Sequence, residues 1–181
     1  RFASGSIVTG VPTGFDDFDR LTGGLQPGSL NILAARPSMG KTAFALNIAQ
    51  NAAVRGRTPV LIFSLEMGAE QLAQRLLGAE AGVNIHDLST GRFPESCWDK
   101  LARAAGTLSE APLFIDDSSM LSTLEMRARC RRFLAHHGSL GLVVVDYLQL
   151  MSLPGRVDSK QQEVAEISRA LKGVAREFNV P

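Results

Sequence analysis

Three short stretches carry side chains able to do chemistry together: "ARPSMGKT" at residues 35–42, "SLEM" at 64–67 and "VVVDYLQL" at 143–150. The first ends in Gly40-Lys41-Thr42 and approaches the pattern G-x-x-x-x-G-K-[ST], which captures phosphate with backbone N–H groups at a helix start. Ala35 stands where that pattern wants glycine, a change that a strand-to-loop junction tolerates if φ stays negative. Gly40 is kept where the backbone must approach phosphate, and Pro37 stiffens the turn by fixing φ. The reading assigns phosphate contact to Arg36, Pro37, Ser38, Met39, Gly40, Lys41, Thr42 and Ala43, with Lys41 on the β- and γ-phosphates and Thr42 placing its hydroxyl on Mg²⁺.

A phosphate loop binds; turnover also needs an acid that holds the metal and a group that orients water. Asp146 closes the apolar run in "GLVVVDYLQLM", at the carboxyl end of a strand, where ligands of parallel sheets sit. Glu66 follows the run "VLIFSL" and is expected at the same sheet edge, as the carboxylate aligning water for attack on the γ-phosphate. Asp116 and Asp117 also end a strand, but neighbours on a strand face opposite ways, so they do not read as a carboxylate pair unless the strand ends between them. Capping of the next helix by Asp117, Ser118 or Ser119 is expected, with Asp116 alternatively behind the metal site.

These residues need a scaffold, and the hydrophobic pattern supplies one. Nearly continuous apolar runs at Leu30–Ala35, Pro59–Leu65, Leu113–Asp116 and Leu142–Leu148 read as strands buried on both faces. Helical stretches at Lys41–Arg55, Ala69–Ala81, Glu95–Leu108, Thr123–His136 and Lys160–Phe178 alternate with them, which predicts an α/β fold with a mostly parallel sheet flanked by helices. In the last helix Val164, Ile167, Leu171, Val174 and Phe178 form one apolar stripe. Gly23-Gly24 and Pro27-Gly28 punctuate the segment before the first strand, and a loop spans Ser152–Ser159.

The chain's 181 residues suffice for one domain with a core. A formal net charge of +1 and a pI near 8.0 neither suggest nor exclude DNA. No apolar run reaches the ~18 residues that a membrane helix needs, and no membrane partner is expected. Cys97 and Cys130 match no zinc spacing and read as reduced, buried thiols of a cytoplasmic protein; His86, His136 and His137 likewise lack metal spacing, and the latter two, at a helix end, read as structural. The arginines of "RARCRRF" surround a helix whose apolar face holds Met126, Cys130, Phe133 and Leu134, so they read as a solvated face rather than a phosphate-tracking stripe. Trp98 reads as a packing residue.

The alanine-first "ARPSMGKT", the "FSLEM", the "VVVDYLQLM", the closing "QQEVAEISRALKGVAREFNVP" and the leading "PTGFDDFDRLTGGLQPGSLNILAARP" together resemble the RecA-type motor domain of DnaB-like replicative DNA helicases. The likeness covers essentially the whole chain, and alanine at position 35 is that family's usual form. It implies a RecA-like P-loop NTPase core over residues 1–181, with ATP and Mg²⁺ as cofactors. By motif, Lys41 and Thr42 would serve phosphate and metal, Asp146 would be the metal-holding acid and Glu66 the catalytic carboxylate. Gln149 also matches, with no firm role. The implied protein is a homo-hexameric ring that hydrolyses ATP at subunit interfaces, moves on single-stranded DNA and works with a primase and a helicase loader. In that family a strand with a phosphate-sensing glutamine, DNA-binding loops and an arginine finger follow the point where this chain stops, so the chain reads as an excised piece expected to bind nucleotide and hydrolyse it poorly. Arg156 and Lys160 flank the loop where DNA contacts are expected. A RecA/RadA-like recombinase, a KaiC-like ATPase and a nucleotide-gated assembly module with little turnover stand as alternatives.

Overall fold

The structure is a computed structural model and describes residues 8–151 and 159–181. Its centre is a parallel sheet of three strands: β1 (Val60–Ser64), β2 (Leu113–Asp116) and β3 (Leu142–Asp146), in the order β2-β1-β3. Seven α-helices accompany them among the described residues: α1 (Asp16–Thr22), α2 (Lys41–Gln50), α3 (Ala69–Ala81), α4 (Ile85–Thr90), α5 (Trp98–Ser109), α6 (Thr123–His137) and α7 (Lys160–Phe178).

β1 explains the layering. Its side chains alternate faces, and every one is buried. Leu61 and Phe63 face a cluster with Met126, Cys130 and Phe133 of α6 and Ile167, Leu171 and Val174 of α7. Val60 and Ile62 face the other side, against Leu46 and Ala49 of α2, Ala52 and Ala53 just after it, and Leu72 and Leu76 of α3. Helices on both faces thus account for the continuous apolar character of β1. Most of the stripe expected on α7 is present: Ile167, Leu171 and Val174 are buried, with Val164 and Phe178 half-buried.

The expected first strand is the main correction. Residues 29–35 form no ladder with any described strand, and Ile32 and Leu33 are 67% and 43% exposed rather than buried on both faces. A strand is defined by its neighbour's hydrogen bonds, and none of the three strands lies beside this segment. Val180 and Pro181 occupy the intervening position: Val143 donates to the Pro181 carbonyl (3.1 Å) and Gly28 to the Val180 carbonyl (3.2 Å).

Smaller differences have local causes. β3 ends at Asp146, not Leu148, because Leu148–Leu150 turns into a 3₁₀ helix. The helix expected over Lys41–Arg55 is α2 followed by a π-helical turn, Asn51–Arg55, ending at Gly56. Helix α4 has too few residues to register a periodicity, yet Asn84 caps it by accepting the His86 N–H (2.9 Å). The cap of α6 is Ser122, in a reciprocal box with Glu125, instead of Asp117, Ser118 or Ser119. Asp117 caps α3 instead, accepting the Ala69 N–H (2.9 Å). Trp98 is 62% exposed and meets Phe93 edge-on, so it does not sit in the core.

Candidate nucleotide site

The turn over 36–40 runs straight into α2. Met39 donates to the Arg36 carbonyl (3.3 Å), and Phe44 donates to the Gly40 carbonyl (2.9 Å) as the helix begins. Gly40 has φ 84° and ψ 18°, a left-handed backbone that suits glycine, and an added Cβ there would meet nothing within 4 Å. Glycine is therefore required by the backbone angle rather than by internal crowding. Ser38 also has positive φ (64°), whereas Ala35 is not among the described non-glycines with positive φ, as its substitution for glycine requires. Arg36, Pro37, Ser38, Met39 and Gly40 are exposed, and no side chain among the described residues caps the start of α2. Its first N–H groups, with the positive end of the helix dipole behind them, therefore face outward.

Two side chains from the start of α2 reach the end of β3. Thr42 Oγ1 donates to Asp146 Oδ2 at 2.8 Å, across 104 residues of sequence. Asp146 is 7% exposed, and this is the hydrogen bond its carboxylate receives among the described residues. Lys41 Nζ lies 4.7 Å from the centre of the Tyr147 ring, a cation–π contact. Tyr147 was not among the residues expected at the site; it directly follows the acid, and only the tertiary packing of α2 on β3 reveals its contact.

Glu66 leaves β1 at the same edge. Ser64 stands opposite Asp146 in the parallel register, and the Leu65 N–H donates to the Asp146 carbonyl (2.7 Å). One residue further, Glu66 is exposed, and its carboxylate has no hydrogen-bond or ionic partner among the described residues. Asp116 does not join the group. Burial acts to raise its carboxyl, but hydrogen bonds from Arg129 (2.6 Å) and Ser118 (2.7 Å) outweigh it and hold the acid below its usual range. Gln149 is exposed beyond β3.

The donors at the Thr42–Asp146 contact are hard oxygens, one hydroxyl and one carboxylate, and they fit Mg²⁺, which takes few protein ligands and completes its shell with phosphate oxygens and water. Among the described residues no cluster of three or more His, Cys, Asp or Glu is placed to hold a metal. His137 packs tilted against Phe114 and Phe133, with ring centres 4.4 and 4.3 Å away. The arginines of α6 are more engaged than a solvated face: Arg129 holds Asp116, and Arg127 and Arg131 both pair with Glu177 of α7. Arg156 lies outside the described residues; Lys160 is exposed and pairs with Glu163 (3.2 Å). No helix among the described residues is long and apolar enough to cross a membrane.

A phosphate-type turn opening a helix, beside an acid at the carboxyl end of a parallel strand with helices on both faces, defines a RecA-like P-loop NTPase core. The match to the family model of the DnaB-like helicase C terminal domain spans residues 10–181, and the chain belongs to that family. It is 54% identical over 175 residues to the replicative DNA helicase DnaC of Bacillus subtilis and 52% identical to the replicative DNA helicase DnaB of Geobacillus stearothermophilus, in each case over 96% of this chain. The chain spans 38% of the length of both relatives. Among solved structures, a DnaB-like replicative helicase studied with its interactions with primase superposes with a TM-score of 0.92 at 35% identity, over 99% of this chain and 43% of the other. A separately solved ATPase domain gives the same TM-score and identity over 64% of its length.

Proposed function

We propose that this chain is the ATP-binding and ATP-hydrolysing part of a replicative DNA helicase motor, acting in the cytoplasm within a homo-hexameric ring that moves on single-stranded DNA. The observation that carries the reading is the 2.8 Å contact between Thr42 and Asp146, which joins the two motifs a metal–nucleotide site requires. Its relatives in Bacillus subtilis and Geobacillus stearothermophilus are replicative DNA helicases, which supports the substrate and the motor role. A primase as partner is supported by the solved helicase described with one; a helicase loader is proposed on family grounds alone.

In this reading the N–H groups of 38–43 bind the phosphate oxygens of ATP, aided by the α2 dipole and the Lys41 ammonium. Lys41 leaves the Tyr147 ring for phosphate, a move between two electron-rich partners that needs no unfolding. Thr42 and Asp146 would hold Mg²⁺; when bound, the ion neutralises charge on the β- and γ-phosphate oxygens. Glu66 orients the attacking water in line with the γ-phosphate and takes its proton.

The test is ATP hydrolysis by the intact protein with and without single-stranded DNA, for wild type and Glu66→Gln. Glu66→Gln is expected to lower kcat by about 10² or more, the size general-base loss commonly reaches, while nucleotide affinity holds. Wild-type turnover in that variant would refute the role of Glu66, and turnover indifferent to DNA would favour a nucleotide-gated assembly module.

A further inference from the structure

The Ser64 hydroxyl sits where an apolar strand has no evident use for it. β1 reads Val-Leu-Ile-Phe-Ser, all buried, and Ser64 is 1% exposed. Alanine would fill nearly the same space without burying a polar group. The hydroxyl has a specific task instead: it donates to the Met67 carbonyl (2.6 Å) and accepts the Met67 N–H (3.3 Å). Both backbone groups of Met67 are thereby tied to a single side-chain oxygen, closing the chain over residues 65 and 66 into a tight turn.

Glu66 rides on that turn. Upstream, Leu65 is buried in the α6–α7 core cluster and its N–H is fixed to the Asp146 carbonyl. Downstream, Ala69 is held by Asp117. Since nothing among the described residues bonds the Glu66 carboxylate, its position is set by the backbone of the turn alone, and the hydroxyl of Ser64 is what closes that turn. The same residue stands opposite Asp146 in the sheet register, so one rung of the ladder locates both the metal-holding acid and the turn bearing Glu66.

We propose that Ser64 is a positioning residue for hydrolysis, acting through Glu66; the inference rests on the proposed role of Glu66. The test uses the intact protein as wild type, Ser64→Ala, Glu66→Gln and the double variant, with kcat and KM for ATP, Mg–ADP affinity and melting temperature measured for each. Ser64→Ala is expected to lower kcat about tenfold, within the range that small misplacements cost, with KM and Mg–ADP affinity changed less than about twofold. Placed on Glu66→Gln, it is expected to cause no further loss, because the group it positions is already disabled. If Glu66→Gln abolishes turnover while Ser64→Ala keeps wild-type kcat, this inference fails and the role of Glu66 stands. An equal further loss from Ser64→Ala in the Glu66→Gln background overturns it too, since the serine then supports the fold in general. Full turnover by Glu66→Gln removes the underlying reading and the inference with it.

Discussion

Replacing Thr42 by valine is a sharp probe of the site because it changes little else. Valine shares threonine's β-branched shape and χ1 restriction, so the first turn of α2 should be preserved. What is lost is the hydroxyl that donates to Asp146 at 2.8 Å, leaving a carboxylate that is 7% exposed without that bond. A hydrogen bond to a charged acceptor contributes about 1.5–3 kcal/mol net, and that is the expected penalty to the domain before any ligand binds. With nucleotide, the variant also lacks one proposed oxygen ligand of Mg²⁺. Changes around metal ligands commonly cost about 10–100-fold in metal affinity, or roughly 1.4–2.7 kcal/mol. The assay is a Mg²⁺ titration at fixed concentration of a fluorescent ATP analogue, with an EDTA baseline for each protein. Thr42→Val should move the Mg²⁺ midpoint upward by about 10-fold or more while the EDTA baseline stays near wild type, and Thr42→Ser should titrate as wild type. An unchanged midpoint, or an equal loss with and without Mg²⁺, would refute the reasoning.

Two further expectations follow from the packing around the sheet. The folded state holds Asp116 below its usual range, so its contribution to stability is present above the unfolded carboxylate's pKa of about 3.9 and is lost as pH falls through the lower folded value; Arg129→Ala should flatten the acid side of a melting-temperature profile and leave the neutral-to-alkaline slope alone. Burial pushes the Cys130 thiol up to about 12, whereas Cys97 is only half-buried, so maleimide at neutral pH followed by peptide mapping should label Cys97 and spare Cys130 until the protein unfolds.

Local signals made much of this architecture readable. The apolar runs of β1 and β2, the helical stretch of α3 and the apolar faces of α6 and α7 are each written in one stretch of chain, and their bounds follow closely. Gly40-Lys41-Thr42 is legible from the helix it opens and Asp146 from the strand it ends, and the two meet at the Thr42–Asp146 hydrogen bond. What could not be read depends on a partner elsewhere. Leu30–Ala35 has strand composition, but forming a strand needs a neighbour, and none of the three described strands provides it. Asp117 looks like the cap of the helix that follows it; only the packing of α3 beside β2 brings the Ala69 N–H within reach. Tyr147 and Ser64 escaped for the same reason, since a ring beneath an ammonium and a hydroxyl closing a turn are spatial relations that no spacing rule encodes. Helix α4 was lost to brevity alone.

The most direct measurement is a structure of the intact protein with Mg²⁺ and a non-hydrolysable ATP analogue. Expected are phosphates cradled by the N–H groups of 38–43, Lys41 turned from Tyr147 to phosphate, and the ion about 2.0–2.1 Å from the Thr42 hydroxyl with the Asp146 carboxylate in its first or second sphere. Nucleotide bound away from this turn, or a metal held without Thr42 and Asp146, would contradict it.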